Sequence, residues 1–350
     1  MKGTMKALVK DKPGPGAVLK TVDIPQIGPL DVLVKPKATS ICGTDLHIYN
    51  WDNWAQRRLK PPFIIGHEVA GDIVEIGSDV HGWQLGDYVS VECHKVCGVC
   101  YHCRTGQAHI CSNYKILGVD FDGVFAEYVR VPVTNLWRNK PSLPPEVASL
   151  QDPIGNAVLT TLSHEITTKT VLVMGCGAIG IFCVGIASAA GAEQVIAVDV
   201  NDYRLNMATK MGATSVLNAR KANVIEEVRR LTDGEGVDIM LEMSGNEKAF
   251  HDALSTVKNG GRVSLLSVYP EKVTMDLAEE VVFKALTIVG ITGREIWNTW
   301  YKTAALLNSG KLDVTPIITH KFPLEDFEEG FRLMNAGQSG KVILYPNQVG

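Results

Sequence analysis

The sequence predicts an α/β protein in which a β-rich domain is followed by a doubly wound parallel sheet. Its 350 residues, 45% of them hydrophobic, are enough for about two domains of ordinary size, each with its own core. The first half carries short β-rich runs separated by glycine and proline, whereas the second half alternates β runs with helical segments. A glycine-rich turn opens the alternating half. Together these three observations give the predicted fold class.

The β-rich domain is predicted from short runs of β-branched and aromatic residues, which favour strands. Glycine and proline separate these runs, as at positions 12–16, where the chain reads Lys-Pro-Gly-Pro-Gly. The predicted strands cover residues 6–10, 18–23, 32–37, 69–76 and 88–92. Because turns rather than helices connect the runs, we expect the strands to pair mostly antiparallel.

The second half repeats a strand followed by a helix, which predicts a parallel sheet with its ligand at the carboxyl edge. The predicted strands cover residues 169–174, 194–198, 215–217, 237–241, 262–266 and 286–290. The predicted helices cover residues 178–190, 203–211, 222–232, 247–257, 278–283 and 295–308, and a last helix lies near 327–336.

The glycine-rich turn reads G-x-G-x-x-G and lies between the first strand of this half and its helix. Gly175 permits a tight turn, Gly177 lets the backbone approach a pyrophosphate, and Gly180 lets the helix pack on the strand. The helix N-terminus offers free N–H groups to the phosphates. Asp199 ends the second strand, where a carboxylate accepts hydrogen bonds from the ribose hydroxyls and repels a 2′-phosphate. The segment therefore predicts NAD binding.

Cys42 and His67 are candidate ligands of a catalytic zinc. His67 and Glu68 stand side by side in a stretch of glycines and apolar β-branched residues, 64–80, and Cys42 precedes that stretch. A catalytic zinc takes about three protein ligands and keeps one position open for substrate or water. Cys42, His67 and one carboxylate would meet this requirement.

Four cysteines with the spacing C-x2-C-x2-C-x7-C predict a second, structural zinc. Four thiolates this close in sequence can enclose one zinc and leave no open position. The four are Cys97, Cys100, Cys103 and Cys111. An iron–sulfur cluster and disulfides are the rival interpretations. A ferredoxin-like run has tighter spacing and a proline after its last cysteine, where this chain has Ser112.

Composition argues against nucleic acid and membrane as partners. The net charge is −4, and no basic run is dense enough to follow a phosphate backbone. No apolar run is long enough to cross a bilayer, and the N-terminus lacks the features of a signal peptide. We therefore expect a soluble, cytoplasmic protein whose eight cysteines bind metal or stay reduced.

Taken together, these motifs resemble the zinc-dependent medium-chain alcohol dehydrogenases. The run G-H-E-x2-G-x5-G-x2-V at 66–80 matches the zinc signature of that family, and the four-cysteine and glycine-rich motifs follow in the family order. The resemblance covers about residues 5–345 and is strongest to members that act on L-threonine. The stretches that carry this closer likeness are 40–49, 51–56, 150–157, 291–294 and 316–320.

The resemblance implies a GroES-like catalytic domain and a Rossmann cofactor domain. It places the catalytic domain at 1–155, with a structural zinc lobe at about 95–115, and the cofactor domain at 156–294. A C-terminal segment, 295–350, is expected to return to the catalytic domain. The resemblance also implies a homotetramer with two zinc ions per chain.

The resemblance further implies which residues bind the catalytic zinc and the cofactor. The implied ligands of the catalytic zinc are Cys42, His67, Glu68 and Asp152, with either carboxylate as the third ligand. Family members usually carry glutamate at 152, and a small or hydroxyl residue where this chain has Cys93; the shorter aspartate can still bind zinc. Besides the three glycines and Asp199, the implied cofactor contacts are Ile179, Arg204, Leu266, Ile291 and Thr292.

The implied reaction is the NAD-dependent oxidation of a secondary alcohol, most closely the β-hydroxyl of L-threonine, to 2-amino-3-ketobutyrate. Thr44 and His47 would pass the alcohol proton towards solvent. An amino-alcohol substrate with two charges needs a partner for each. Arg294 is the candidate for the carboxylate, and His94 or a carboxylate near the zinc would receive the ammonium or fix the orientation.

Two other functions remain open at this point. A polyol or 2,3-butanediol dehydrogenase of the same family would share these motifs. A non-catalytic zinc-ribbon protein that binds nucleic acid is the alternative outside enzymes. The acidic net charge and the complete dinucleotide motif argue against binding as the sole function.

Overall fold

The computed structural model describes Met1–Asn347 and divides the chain into two compact units. The first unit holds Met1–Pro153 together with residues 318–347, and the second unit is Ile154–Ile317. The boundaries predicted from the sequence fall after residues 155 and 294.

Residues 295–317 lie in the second unit, although the sequence analysis assigned them to the returning segment. Trp300 is buried there with 1% of its surface exposed, and Leu312 closely approaches the backbone of Gly185. Burial of these large apolar side chains keeps the segment with the cofactor sheet.

The first unit is built mainly from short antiparallel strands, as predicted. Before Pro153 they are β1 (Thr4–Lys10), β2 (Val18–Asp23), β3 (Asp31–Ser40), β4 (Phe63–Ile64), β5 (Glu68–Ile76), β6 (Tyr88–Val91), β7 (His94–Lys95), β8 (Lys115–Ile116), β9 (Val129–Pro132) and β10 (Leu136–Arg138). One sheet has the order β2-β1-β4, and β7 pairs with β8. A larger sheet runs β10-β6-β5-β3, with β9 also paired to β3.

Short helices interrupt this unit, and the sequence analysis did not predict them. They are α1 (Gly43–Asn50), α2 (Asn53–Arg58), α3 (Tyr101–Arg104), α4 (Pro145–Ser149) and α5 (Gln151–Thr161), the last of which ends in the second unit. A helix of two turns depends on tertiary packing rather than on its own sequence pattern. In α1, Ile48 is fully buried and the Tyr49 ring stacks on Phe331 with centroids 4.2 Å apart.

The second unit is a doubly wound parallel sheet, which confirms the predicted fold class. Its strands are β11 (Thr170–Met174), β12 (Gln194–Asp199), β13 (Ser215–Asn218), β14 (Val237–Glu242), β15 (Val257–Leu265) and β16 (Thr287–Gly290). Its helices are α6 (Ala178–Ala189), α7 (Asp202–Lys210), α8 (Val224–Leu231), α9 (Glu247–Thr256) and α10 (Asn298–Asn308). All pairs are parallel in the order β13-β12-β11-β14-β15-β16, the strand order of dinucleotide-binding sheets. The predicted helix at 278–283 is a single π-helical turn, Ala278–Val282.

The C-terminal chain completes the larger sheet of the first unit. It forms β17 (Ile318–Pro323), α11 (Phe327–Asn335) and β18 (Lys341–Tyr345). β18 pairs antiparallel with the end of β3, where Ile343 lies opposite Ser40, and β17 pairs parallel with β18. Short 3-10 turns occur at Ala108–Ile110, Val133–Asn135, Thr315–Ile317 and Leu324–Asp326. Within residues 1–347, none of the helices has both the length and the apolar character needed to cross a membrane.

The pairing of β3 with β5 brings together the residues of the predicted catalytic zinc. Ser40, the last residue of β3, lies opposite Glu68, the first residue of β5. Cys42 follows β3 and His67 precedes β5, so both emerge at the same end of the pair. Gly66 makes this turn with φ of 92°, and a side chain there would meet the Phe125 ring at 2.4 Å. Only glycine fits that position.

Candidate active site

Cys42, His67 and Glu68 form one group of metal-binding side chains in the first unit. Ligand atoms of all three residues lie within 4.8 Å of one another. His67 and Glu68 are buried, whereas Cys42 is half-buried. The group therefore has a closed side formed by the sheet and a side that remains accessible.

Asp45 lies beside the His67 ring. Its Oδ2 accepts the backbone N–H of Cys42 at 2.8 Å, and its Oδ1 lies 3.5 Å from His67 Nδ1. A carboxylate behind an imidazole leaves the other ring nitrogen, Nε2, for a metal. Burial lowers the pKa of His67, but Asp45 and Cys42 outweigh burial and raise it well above its usual value. A proton and a metal therefore compete for this ring.

One oxygen of the buried Glu68 carboxylate accepts hydrogen bonds, and the other accepts none from residues 1–347. Oε2 accepts hydrogen bonds from the Ser40 hydroxyl and from Nζ of Lys341. Oε1 is buried and has no hydrogen-bond partner among residues 1–347. A buried carboxylate oxygen needs a compensating contact, which a cation beside the Cys42 thiol and the His67 ring would supply. The three donors thus fit a catalytic zinc with an open position.

Asp152 lies outside this group. It is buried in the first turn of α5 with 4% of its surface exposed, and its oxygens are not among the donor atoms that converge on Cys42. The structure therefore places Glu68, rather than Asp152, with Cys42 and His67. Zinc binding by Asp152 stays a prediction.

Thr44 and His47 lie three residues apart on α1, which puts them on the same face of the helix. The Thr44 hydroxyl oxygen is 3.9 Å from the Cys42 sulfur. The His47 side chain is 60% exposed. One residue of the predicted proton path therefore adjoins the metal group, and the other reaches solvent.

His94 is tied to the buried carboxylate of Glu92. Glu92 Oε1 lies 2.9 Å from the His94 backbone nitrogen and 2.8 Å from its ring Nδ1, and the Cys93 sulfur is 3.6 Å from Nδ1. Burial lowers the pKa of His94, but Cys93 and Glu92 outweigh it and raise the pKa to about 10. The raised pKa favours the protonated ring, which suits a negatively charged group of a substrate better than an ammonium. The substrate contact expected of His94 stays a prediction.

The four cysteines of the predicted structural zinc converge on one point. Their sulfurs lie within 4.8 Å of one another, and Cys111 Sγ is 3.5 Å from Cys97 Sγ. Backbone N–H groups lower the pKa of Cys100 to about 6, whereas burial and neighbouring sulfurs raise that of Cys103 to about 12. Four thiolates at this spacing repel one another unless a cation neutralises them, so the set fits zinc.

The glycine-rich turn between β11 and α6 has the geometry of a phosphate-binding loop. Gly175 has φ of 97°, and a side chain on Gly180 would approach the Gly175 carbonyl oxygen to 2.0 Å. A side chain on Gly177 would meet nothing within 4 Å, so this glycine faces open space at the N-terminus of α6. The first and third glycines serve packing, and the second leaves room for a pyrophosphate.

Asp199 lies beside this turn in a cavity of about 390 Å³ within the second unit. Gly175, Gly177, Asp199 and Arg204 all contribute to its lining. Asp199 Oδ2 accepts the Cys176 N–H at 2.7 Å and lies 3.9 Å from Arg204 Nη1. Four other predicted cofactor contacts do not line this cavity: Ile179, Leu266, Ile291 and Thr292. Ile291 and Leu266 follow the carboxyl ends of β16 and β15, which suits a ligand extended along that edge.

Arg294 is almost fully buried in the second unit, with 1% of its surface exposed. Its Nη1 donates to Asn156 Oδ1 at 3.2 Å, and its guanidinium lies 5.9 Å from the Trp300 ring. A side chain on Gly155 would meet Arg294 Cδ at 2.6 Å. These contacts hold Arg294 in place, and its contact with a substrate carboxylate stays a prediction.

The polar partners of the predicted site residues were not predicted from the sequence. Asp45 lies behind His67, Glu92 behind His94, Asp52 behind His47, and Lys341 behind Glu68. Glu92 and Asp52 lie two and five residues from the histidines they contact, and a search for carboxylates near each histidine would have found them. Asp45 is distant in sequence from His67, although it lies close to Cys42 and Thr44. Lys341 carries no such signal, because 273 positions separate it from Glu68.

Two family models match the chain, one in each unit. The alcohol dehydrogenase GroES-like domain matches residues 28–142, and the zinc-binding dehydrogenase domain matches residues 178–309. The first match contains Cys42, His67 and the four-cysteine lobe. The second contains all of α6 and Asp199 but begins just after Gly175 and Gly177.

The chain is also similar over its length to characterised and solved proteins. It is 55% identical to the L-threonine 3-dehydrogenase of Pyrococcus horikoshii, covering 98% of this chain and 99% of that one. It is 51% identical to the L-threonine 3-dehydrogenase of Bacillus subtilis, with the same coverage. The crystal structure of a zinc-binding dehydrogenase from Sinorhizobium meliloti, bound to NADP, superposes with a TM-score of 0.91 at 28% identity, over 98% of this chain and 100% of that one.

Proposed function

Because the chain belongs to the zinc-dependent medium-chain alcohol dehydrogenase family, we propose that it oxidises the β-hydroxyl of L-threonine to 2-amino-3-ketobutyrate with NAD⁺. The observation that carries the proposal is the converging group of Cys42, His67 and Glu68 with its unsatisfied carboxylate oxygen. The names of the two close relatives support the substrate.

The chain's own side chains support each part of this chemistry. When bound, zinc supplies a Lewis acid for the substrate hydroxyl, and NAD⁺ supplies the hydride acceptor. The Thr44 hydroxyl accepts the substrate's hydroxyl proton beside the metal group as it gives up its own proton, and His47 passes a proton on to water. Asp199 accepts hydrogen bonds from the adenosine ribose, and Gly177 leaves room for the pyrophosphate.

We propose that the His94 imidazolium binds the substrate carboxylate. Its side chain is 14% exposed, and Glu92 holds Nδ1, so Nε2–H is the donor that remains. A neutral diol offers no anion to this cation, and a buried charge without a partner is costly. Charge pairing at His94 therefore favours an amino acid over a polyol.

The kcat/KM for L-threonine should exceed that for 2,3-butanediol and sorbitol by about a hundredfold or more, because a site built around charged groups leaves them unpaired when a neutral substrate enters. Initial rates of NADH formation with equal concentrations of each substrate measure this ratio. Activity on D-threonine should be weak. A higher kcat/KM for either polyol would make the chain a polyol or diol dehydrogenase and leave the zinc and NAD⁺ chemistry in place.

The KM for L-threonine should rise as the pH passes through about 10, where His94 loses its proton. Below that pH the imidazolium is present and binds the carboxylate; above it the charge is gone. In the Glu92→Gln variant, an amide still accepts the His94 hydrogen bonds but no longer favours the charged ring. The rise in KM should then begin at lower pH, in kinetics measured from about pH 7 to 10.5. Identical profiles for the two proteins would contradict this role of His94.

The chain should prefer NAD⁺ to NADP⁺ by about a hundredfold in kcat/KM, because like charges brought together at a binding site cost several kcal/mol. The crystal structure from Sinorhizobium meliloti holds NADP, so the preference must come from this chain's own Asp199. Asp199→Gly should reduce the ratio to about tenfold or less. Asp202→Asn, which changes an exposed carboxylate paired with Lys221, should leave the ratio unchanged. Equal use of both cofactors by the unmodified chain would exclude this role of Asp199.

We further propose a homotetramer located in the cytoplasm. β16 is the edge strand of the parallel sheet, and its four residues carry no charge. Large apolar side chains are exposed on the neighbouring loop and turn, among them Val268, Leu277, Val282 and Phe283. An uncharged edge beside exposed apolar residues suits pairing with a second copy. Sedimentation velocity should give the mass of four chains, and a monomer would contradict the proposal.

The proposed location in the cytoplasm is supported by the cysteines. All eight are free of disulfides, which suits a reducing compartment.

A further inference from the structure

A tight turn after α1 brings Asp52 back against His47. Asp52 Oδ2 lies 2.5 Å from His47 Nδ1, although five residues separate them in sequence. Trp51 makes the turn, since it ends α1 with φ of 56° in the left-handed region. That conformation is uncommon for any residue other than glycine, so the surrounding contacts must maintain it.

The second oxygen of Asp52 is held by the start of α2. Asp52 Oδ1 accepts the backbone N–H groups of Trp54 and Ala55, both at 3.0 Å. Burial raises the pKa of Asp52, but these N–H groups and His47 outweigh burial and keep it below its usual value. The carboxylate is therefore ionised, and rotating it away from His47 would break the helix cap.

Lys10 braces the same turn from the body of the first unit. Its Nζ lies 4.9 Å from the centre of the Trp51 ring and donates to the Gly16 carbonyl at 2.7 Å. The Gly16 N–H in turn donates to the Tyr49 carbonyl at 2.7 Å. Lys10 is buried with 1% of its surface exposed, so these contacts compensate its charge. These contacts support the turn that places Asp52 beside His47.

We propose that Asp52 is a positioning residue that holds His47 in the orientation and tautomer needed for proton transfer. His47 Nδ1–H donates to Asp52, which leaves Nε2 free to accept a proton. The proton of the substrate hydroxyl reaches Nε2, Asp52 stabilises the imidazolium, and the proton leaves Nε2 for water. The inference rests on the proposed function, in which His47 carries the proton outward.

The test compares single-turnover rates of NADH formation from L-threonine, which product release does not mask. His47→Gln should slow this rate by about a hundredfold, a typical contribution of a proton-transfer residue. Asp52→Asn keeps the Oδ1 acceptor that caps α2 but presents an amide donor to His47 Nδ1, so it should slow the rate by about tenfold. The double variant should be no slower than His47→Gln alone.

The control and the other measurements separate positioning from a structural role. Asp120→Asn changes a carboxylate of the same unit that also binds an arginine and a backbone N–H, and it should leave the rate unchanged. The melting temperature and the KM values of Asp52→Asn should stay at those of the unmodified protein. A tenfold loss on adding Asp52→Asn to His47→Gln would overturn the inference, as would a normal rate in Asp52→Asn alone. A normal rate in His47→Gln would instead overturn the relay role of His47 in the proposed function.

Discussion

Replacing Cys42 with alanine should lower kcat for L-threonine by about a thousandfold or more while the protein stays folded. The reason is that Cys42 is one of the three side chains that would hold the catalytic zinc, and a bound metal contributes several kcal/mol of charge stabilisation in the transition state. Metal analysis of the same sample should show the zinc content falling from two ions per chain to one, because the four-cysteine lobe is untouched. Steady-state NADH formation and near-ultraviolet circular dichroism complete the measurement.

Cys183→Ala is the matched control for the loss of a thiol. Cys183 is fully buried in α6, its thiol donates to the Ala157 carbonyl, and it belongs to none of the metal-binding groups found within residues 1–347. Both zinc ions and most of the activity should remain in that variant. Two zinc ions per chain in the Cys42→Ala protein would show that Cys42 is not a ligand. A kcat of one tenth or more of that of the unmodified protein would show the same.

Replacing Lys341 with methionine should lower the free energy of unfolding by about 3–5 kcal/mol, the usual cost of leaving one partner of a buried ion pair alone. Lys341 is 2% exposed, donates to Glu68 Oε2, and also reaches the Ile41 carbonyl at 2.9 Å. Urea unfolding of metal-free protein at a fixed chain concentration measures the change without contributions from zinc binding.

Two further variants test whether the unpaired charge of Glu68 causes the loss of stability. Adding Glu68→Gln to Lys341→Met removes the buried carboxylate and should restore most of the lost stability. Lys37→Met breaks an exposed ion pair with Asp72 and should change the free energy of unfolding by less than about 1 kcal/mol. Equal losses in the Lys341→Met and Lys37→Met proteins would contradict the account of Glu68.

The local motifs were predictable because their chemistry is contained in short stretches of sequence. The glycines of the turn after β11 follow from the approach of a pyrophosphate and of a neighbouring strand, and the structure gives Gly175 its positive φ. The four-cysteine spacing predicted the convergence of four sulfurs that the structure shows. The predicted strands of both units and the parallel pairing of the second sheet also agree with the structure.

Other features depend on contacts that no local pattern reports. The helix α1 was missed because its stability comes from packing against α11, as in the stacking of Tyr49 on Phe331. Residues 295–317 were assigned to the returning segment because the burial of Trp300 depends on tertiary contacts, which the local sequence does not report. The partner of Glu68 is Lys341, which only the pairing of β18 with β3 brings near.

The most direct test of the proposed reaction follows the hydrogen on the β-carbon of L-threonine. The protein, loaded with zinc, is given NAD⁺ and L-threonine carrying deuterium at that carbon, and the NADH is analysed by mass spectrometry. We predict that the deuterium appears in NADH and that the labelled substrate reacts more slowly in a single turnover. NADH without the label, or no NADH at all while both zinc ions are bound, would contradict the assignment of this chain as a threonine-oxidising dehydrogenase.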